Sequence, residues 1–336
     1  MVRVLPLNEG SHSSMPPLSD DWLASAVALL RSRTPLVPRV GIILGSGLGG
    51  FAAEVEGEAT LPYREIPGFP VSTAIGHKGQ LTLGRFAGVP VAVLEGRFHL
   101  YEGYAVDQVV RPIHLLQALG VEVLIVTNAA GGLNPGLRMG DVVVVEDQVN
   151  LMWTGPGLGY DGRDRLTQHG FDFPLSDTSL PPSFSSAPLS ASGNTARGLE
   201  QKETKVTKGG KHVCLYDPEL AAWALEAARA AEANSSRGVY IGMTGPNYET
   251  RAEYRWLRQV GDLVGMSTVP EVLTAHSLEM RVLGLSVVSN ECNPDALEPT
   301  DGAQVVAAVS RAEGRLRSIV RGVLGRWQLC RPQTPD

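Results

Sequence analysis

A chain of 336 residues with 43% hydrophobic and 19% charged residues has the composition of a globular protein able to bury a sizeable core, which argues against a disordered or fibrous chain. Its formal net charge of −6 gives no basic footprint for nucleic acid, so a site for an anionic substrate must gather arginine and histidine locally. Three widely spaced cysteines without a CxxC pair suggest neither a disulfide framework nor a zinc site and fit a reducing cytoplasm, and no apolar run reaches the roughly 18 to 20 residues of a membrane span.

In chain order, residues 1–19 read as a flexible polar tail without an apolar run of signal-peptide length, followed by a helix near 20–33. Strands are predicted for RVGIIL at 39–44 and VPVAVLEGR at 89–97, a helix near 107–119, then strands VEVLIVTN at 121–128 and DVVVVED at 141–147. Residues 178–213 are rich in Ser, Pro, Thr, Gly and Lys and poor in periodic apolar positions, the composition of a disordered surface insertion. A helix from about Asp217 to Ala233 has Asp217 as its cap and Pro218 in its first position. Helices near 250–260 and 269–283, a strand RVLGLSVVSN at 281–290 and a helix near 301–325 complete the chain. Continuous apolar strands alternating with helices predict an α/β fold: a mixed, largely parallel β-sheet flanked by helices, a single domain over 20–330 interrupted by the insertion.

Several loops at strand ends carry side chains suited to chemistry. GSGLGG, Gly45 to Gly50, follows the strand GIIL, where glycines let backbone N–H groups approach an anion and Ser46 adds a hydroxyl. The same glycines satisfy GxGxxG, but the acidic residue that a dinucleotide site wants at the end of the next strand is replaced by Glu65 in a Pro/Gly loop. In EGRFHLYEGY, alternation along an extended segment sends Arg97, His99 and Tyr101 to one side: a guanidinium fork, an imidazole and a phenol, suited to phosphate beside a sugar, or else an exposed polar edge. His77 lies in the glycine-flanked loop AIGHKGQ. In GMSTVPEV, Thr268 and Glu271 have capping-box spacing, which puts Ser267 just before the positive end of a helix; simple capping and anion binding both fit. TNAAGG at 127–132 and SNECN at 289–293 also close strands. In GPNYETRAEYRWL, Tyr248 can stack on a planar ring and Glu249 can accept its N–H groups, ahead of a helix that Thr250 and Glu253 cap.

Taken in order, GSGLGG, GHKGQL, EGRFHLYEGY, TNAAGG, GPNYET, GMSTVPEV and SVVSN closely resemble the trimeric purine nucleoside phosphorylases over about residues 40–290. The resemblance implies a homotrimeric transferase of purine salvage. It would cleave purine ribonucleosides and deoxyribonucleosides to free base and (deoxy)ribose 1-phosphate, with orthophosphate as cosubstrate and no metal or organic cofactor. It assigns Ser46, His77, Arg97, His99, Ala129 and Ser267 to phosphate, Tyr101 and Met266 to the ribose, and Tyr248, Glu249 and Asn290 to the purine. Phe173, in HGFDFPLSD, resembles the aromatic that a neighbouring subunit contributes. The implied catalytic groups are Asn290, Glu249 and His99, with His99 orienting phosphate. Asparagine at 290, where methylthioadenosine phosphorylases carry aspartate, implies a preference for inosine and guanosine.

The chain departs from the family in two places. It has Gly302, in DGAQVV, at or near the position of the histidine that usually touches the ribose 5′-hydroxyl, and it carries the insertion. A 5′-methylthioadenosine phosphorylase or a nucleoside hydrolase on the same fold is the nearest rival reading, and a non-catalytic nucleoside-binding protein is the rival from another class.

Overall fold

A computed structural model describes residues 21–152, 214–297 and 301–330. The polar tail at 1–19, the insertion at 178–213 and Phe173 lie outside the described residues.

The centre of the sheet is set by β1 (Val40–Leu44), all five residues of which are buried. It lies parallel to β4 (Val89–Glu95) on one side and to β5 (Val123–Gly132) on the other. Beyond β4 come β3 (Gln80–Phe86) and then β2 (Glu56–Pro62), both antiparallel to their neighbours. On its other edge β5 pairs in parallel with β9 (Arg281–Glu291). β9 pairs with β6 (Val142–Leu151), β6 with β7 (Ser235–Met243), β7 with β8 (Leu263–Gly265), and β8 returns to β5 at Gly131 and Gly132. The mixed sheet is therefore open through β2-β3-β4-β1 and closed into a ring over its other five strands.

Alternation along the central strands loads two separate cores. Ile43 on β1 and Val282 and Val288 on β9 join one apolar cluster; Ile42 and Leu44 on β1 and Leu283, Leu285 and Val287 on β9 join the other. Burial on both faces explains why these strands read as continuous apolar runs. The first cluster is covered by α1 (Trp22–Arg33), α3 (Arg111–Leu119) and α6 (Val269–Ser277), the second by α4 (Pro218–Ala230) and α7 (Gly302–Leu329).

The helix ends follow local chemistry. Asp217 caps α4 by accepting from the amides of Glu219 and Leu220 at 3.0 and 2.9 Å. α5 (Arg251–Leu257) opens with the capping box of Thr250 and Glu253. The helix expected near 107–119 is two, α2 (Val106–Val109) and α3, because Pro112 in the first turn of α3 has no N–H to continue the ladder. The helix expected to reach 283 stops at Ser277: Glu279 adopts a left-handed conformation (φ 59°), the Met280 amide folds back to the Ala275 carbonyl, and β9 begins at Arg281. Strands β2, β3, β7 and β8 escaped sequence reading for physical reasons. β2 is a largely exposed edge, β7 is half polar, and β8 has three residues.

Candidate active site

The site grows out of a change of partner along β5. Val123 to Val126 pair with β1, and Gly131 and Gly132 pair with β8. Between them β1 and β8 part, leaving the edge of Thr127 to Ala130 open at the ends of the central strands, where ligands collect in open α/β sheets. A cavity of about 540 Å³ fills this gap. Gly45 must be glycine here, since a Cβ would sit 2.9 Å from the Asn128 backbone. Its amide donates to Thr127 Oγ1 at 3.2 Å, and Ser46 then lines the cavity. The chain continues into a 3-10 turn (Phe51–Glu54) and the edge strand β2, so the following helix that a dinucleotide site requires is not there.

Arg97 forms the floor. It is 4% exposed, and its guanidinium donates to the Thr127 carbonyl, to Thr268 Oγ1 (3.3 Å) and to Glu271 Oε1 (3.1 Å). Asn128 Nδ2 donates to the same Thr268 oxygen at 2.9 Å, and Ser267 Oγ lies 3.2 Å from it. The capping box expected from Thr268 and Glu271 is thereby overturned. Neither side chain caps α6; both turn inward to hold Arg97, and Thr268 does so at φ 74°, a conformation strained for a β-branched residue. Ser267 and Ala129 line the cavity just ahead of α6.

Arg97, His99 and Tyr101 do line one surface, though not by strand alternation. β4 ends at Glu95, and Leu100–Glu102 form a 3-10 turn that brings the His99 and Tyr101 rings into a stack with centroids 4.6 Å apart. The ring of His77 stacks on the far side of His99 at 5.4 Å. His99 Nδ1 meets Glu102 Oε1 at 2.8 Å, which leaves Nε2 as the ring nitrogen without a hydrogen-bond partner among the described residues. Burial alone would raise the Glu102 carboxyl, but hydrogen bonds from His99, the Thr73 hydroxyl and the Thr73 amide outweigh it and hold its pKa at about 2. His77 lies between Ser46 Oγ (3.2 Å from Nε2) and Ser72 Oγ (3.1 Å from Nδ1). Burial, followed by the nearby His99 and Arg97, pushes its pKa down to about 3, so its ring is neutral near pH 7. Burial likewise raises the Tyr101 phenol to about 12 and keeps it protonated.

Tyr248, Glu249 and Asn290 line the same cavity, as do Met266 and Tyr101. Tyr248 is 46% exposed. Burial raises the pKa of Glu249 above the ordinary glutamate value, and a hydrogen bond from its own backbone opposes the shift. Ser289 Oγ donates to Asn290 Oδ1 at 2.8 Å. Gly302, at the start of α7, lines the wall with Ile75 and Val305, an apolar stretch. Apart from Phe173, every residue that the resemblance assigns to phosphate, ribose or purine borders this one cavity.

Sequence reasoning passed over Asn128, Glu102, Tyr254 and Cys292, which border the cavity too, and Glu271, which anchors Arg97 from behind. Asn128 and Cys292 stand inside motifs already read as strand ends, so the signal was present; the partners of Glu102 and Tyr254 were not deducible without coordinates. Among the described residues no group of His, Cys, Asp and Glu side chains is arranged to hold a metal ion, and no helix is long and apolar enough to cross a membrane.

Comparison with known proteins adds to this geometry. The family model described as "Phosphorylase superfamily" matches residues 39–325. Purine nucleoside phosphorylase 1 of Bacillus subtilis is 38% identical over 92% of this chain and 99% of its own length. Purine nucleoside phosphorylase of Mus musculus is 35% identical over 90% of this chain and 93% of its own. Among solved structures, isoform 2 of the Schistosoma mansoni enzyme, crystallised with cytosine and ribose-1-phosphate, superposes with a TM-score of 0.71 at 30% identity, covering 95% of this chain and all of that one.

Proposed function

The chain belongs to the purine nucleoside phosphorylases of the phosphorylase superfamily, enzymes that cleave purine nucleosides with phosphate, and from that premise we propose how its cavity divides the reaction. The observation that carries the proposal is one cavity lined both by a cation and hydroxyls, Arg97, Ser46 and Ser267, and by a carboxylate and a carboxamide, Glu249 and Asn290, which we assign to a phosphate end and a base end. Orthophosphate is the cosubstrate, held by Arg97, Ser46, Ser267, the Ala129 amide and the imidazoles of His77 and His99. The guanidinium and the start of α6 supply positive potential, and the hydroxyls supply donors. His99, its Nδ1 committed to Glu102, turns Nε2 toward phosphate and orients it.

The ribose lies across Tyr101 and Met266, and the purine stacks near Tyr248. Glu249, ionised, accepts from the N1–H and amino edge, and Asn290 hydrogen-bonds the N7/O6 edge. As the N9–C1′ bond breaks, its electron pair passes into the purine, which Asn290 and Glu249 stabilise as it leaves. The sugar becomes oxocarbenium-like, and a phosphate oxygen held beside C1′ closes the new bond, giving ribose 1-phosphate and free base. Deoxyribonucleosides react in the same way. Pairing at the 6-oxo edge favours inosine and guanosine over adenosine. The apolar wall of Ile75, Gly302 and Val305 tolerates modified 5′ groups, which is the feature that keeps the methylthioadenosine reading in view.

The catalytic unit is the domain over 20–330. Its setting is the cytoplasm, in keeping with the exposed free thiols of Cys214 and Cys330. It works as a homotrimer, without metal or organic cofactor. The test is inosine cleavage by purified protein with and without orthophosphate. Phosphate-dependent release of hypoxanthine with ribose 1-phosphate is expected, and turnover of adenosine slower than of inosine. Phosphate-independent release of free ribose overturns phosphorolysis, and equal or faster adenosine turnover overturns the 6-oxo preference.

A further inference from the structure

Of the glycine loop Gly45 to Gly50, Gly45 and Ser46 line the cavity, and side chains from other segments hold its backbone in place. At its start the Gly45 amide donates to Thr127 Oγ1. In its middle the Gly47 carbonyl lies 2.9 Å from Ser310 Oγ of α7, but that hydroxyl has a single proton and the Val306 carbonyl stands at the same distance. Near its end the Gly49 carbonyl accepts from the ammonium of Lys78 at 3.3 Å. Lys78 does not itself line the cavity.

The lysine is anchored in turn. Its Nζ donates to Glu95 Oε2 at 2.8 Å, and that carboxylate, at the end of β4, has 2% of its side chain exposed against 52% for Lys78. Glu95 Oε1 accepts from Gln80 Nε2 at 2.7 Å and from Thr82 Oγ1 at 3.0 Å, so it cannot swing away without losing two further donors. The backbone beside Lys78 is tethered to the same residue, since the Gly79 amide donates to the Glu95 carbonyl at 2.9 Å. His77 meets Ser46 Oγ at 3.2 Å, so consecutive side chains take hold of the loop at two points.

With glycine at 45, 47, 49 and 50 the loop has wide backbone freedom when nothing holds it, and an anion binding to a loose loop must also order it. Resting on the phosphate assignment above, we propose that Lys78, carried by Glu95, is a positioning residue that fixes the glycine loop so that Ser46 is in place before phosphate arrives. The charge of Lys78 is already answered by Glu95, so its effect reaches phosphate through the loop backbone rather than by direct attraction.

The test is steady-state phosphorolysis of inosine, with phosphate and inosine varied in turn and unfolding midpoints taken alongside. The proteins are wild type, Lys78→Met, Lys78→Arg and the double variant Lys78→Met/Glu95→Gln. Lys78→Met is expected to raise the phosphate KM about fivefold to tenfold and to leave the inosine KM and kcat within about twofold of wild type. Lys78→Arg, which keeps a cation able to bridge carboxylate and carbonyl, should restore most of the phosphate affinity. The double variant leaves no buried charge unpaired, so it serves where the single variant fails to fold, and its phosphate KM should stay raised because the loop is still unheld. A phosphate KM within about twofold of wild type in these Met variants, whatever their unfolding midpoints, or an equal rise in both KM values, would overturn the proposal. So would a wild-type phosphate KM in the double variant alone, since the unpaired charge of Glu95 would then account for the single variant. Wild-type protein that releases hypoxanthine without phosphate would overturn the phosphate assignment itself, and the role of Lys78 with it.

Discussion

At the phosphate end, Arg97, Asn128, Thr268 and Glu271 are each at least nine-tenths buried and come from three separate segments, whereas at the base end Tyr248 is 46% exposed and Glu249 and Asn290 are only half-buried. The first end is therefore part of the core: its ion pair and hydrogen bonds bind the loop after β4, β5 and α6 together. The second is a rim, with Asn290 Nδ2 3.5 Å from the buried Cys292 sulfur. The contrast teaches that one cavity can couple affinity to fold stability at one end and leave them separable at the other.

The largest effect should come from breaking the buried end. Arg97→Met leaves Glu271 buried without its cation, and removal of one partner of a buried pair costs about 3 to 5 kcal/mol. Denaturant unfolding should register that loss together with a fall in kcat/KM for inosine of about a thousandfold, dominated by a raised phosphate KM. An unchanged unfolding midpoint would erase the distinction between the two ends.

A smaller and purely functional effect is expected at the rim. Asn290→Ala removes a group placed to stabilise the departing base and should lower kcat by about a hundredfold. The unfolding midpoint should move little and the phosphate KM should hold, so a large stability loss would show that the rim is core after all.

The smallest effect is a slope. His77 has a folded pKa of about 3, below its ordinary value of 6.5, so the unfolded chain binds the extra proton between these limits. Its contribution to stability is fully present above pH 6.5 and is lost as pH falls toward 3, on the order of 1 kcal/mol per pH unit. Unfolding free energies of His77→Gln measured across pH 4 to 6.5 should be flatter than those of wild type; an identical slope would place the pH sensitivity elsewhere.

The sequence displayed the phosphate end well because glycine loops and a cation at strand ends have few other uses, and the two faces of β1 and β9 announced a doubly covered sheet. It misled at Thr268 and Glu271, where the spacing of a capping box is also the spacing that lets two neighbouring side chains of a helix start reach inward to one guanidinium. It grouped Arg97, His99 and Tyr101 correctly on a wrong premise, since a 3-10 turn rather than a strand gathers them. Tyr254 gave no signal, and Cys292 gave only its place in the strand end SNECN. Each is unremarkable in its own segment, and they share one apolar cluster only once β9 and α5 are brought together in space.

The ring formed by β5, β9, β6, β7 and β8 bears on how copies of this chain meet. A ring has no terminal ladder, so among the described residues only β2 presents a whole side of unpaired amides and carbonyls. That margin carries exposed Glu56 and Glu58, is interrupted by a register shift between Gly57 and Ala59, and ends at Pro62, each of which discourages the addition of a foreign strand. Among the described residues, edge-to-edge growth is therefore opposed at this margin, and closed off elsewhere for as long as the ring stays shut.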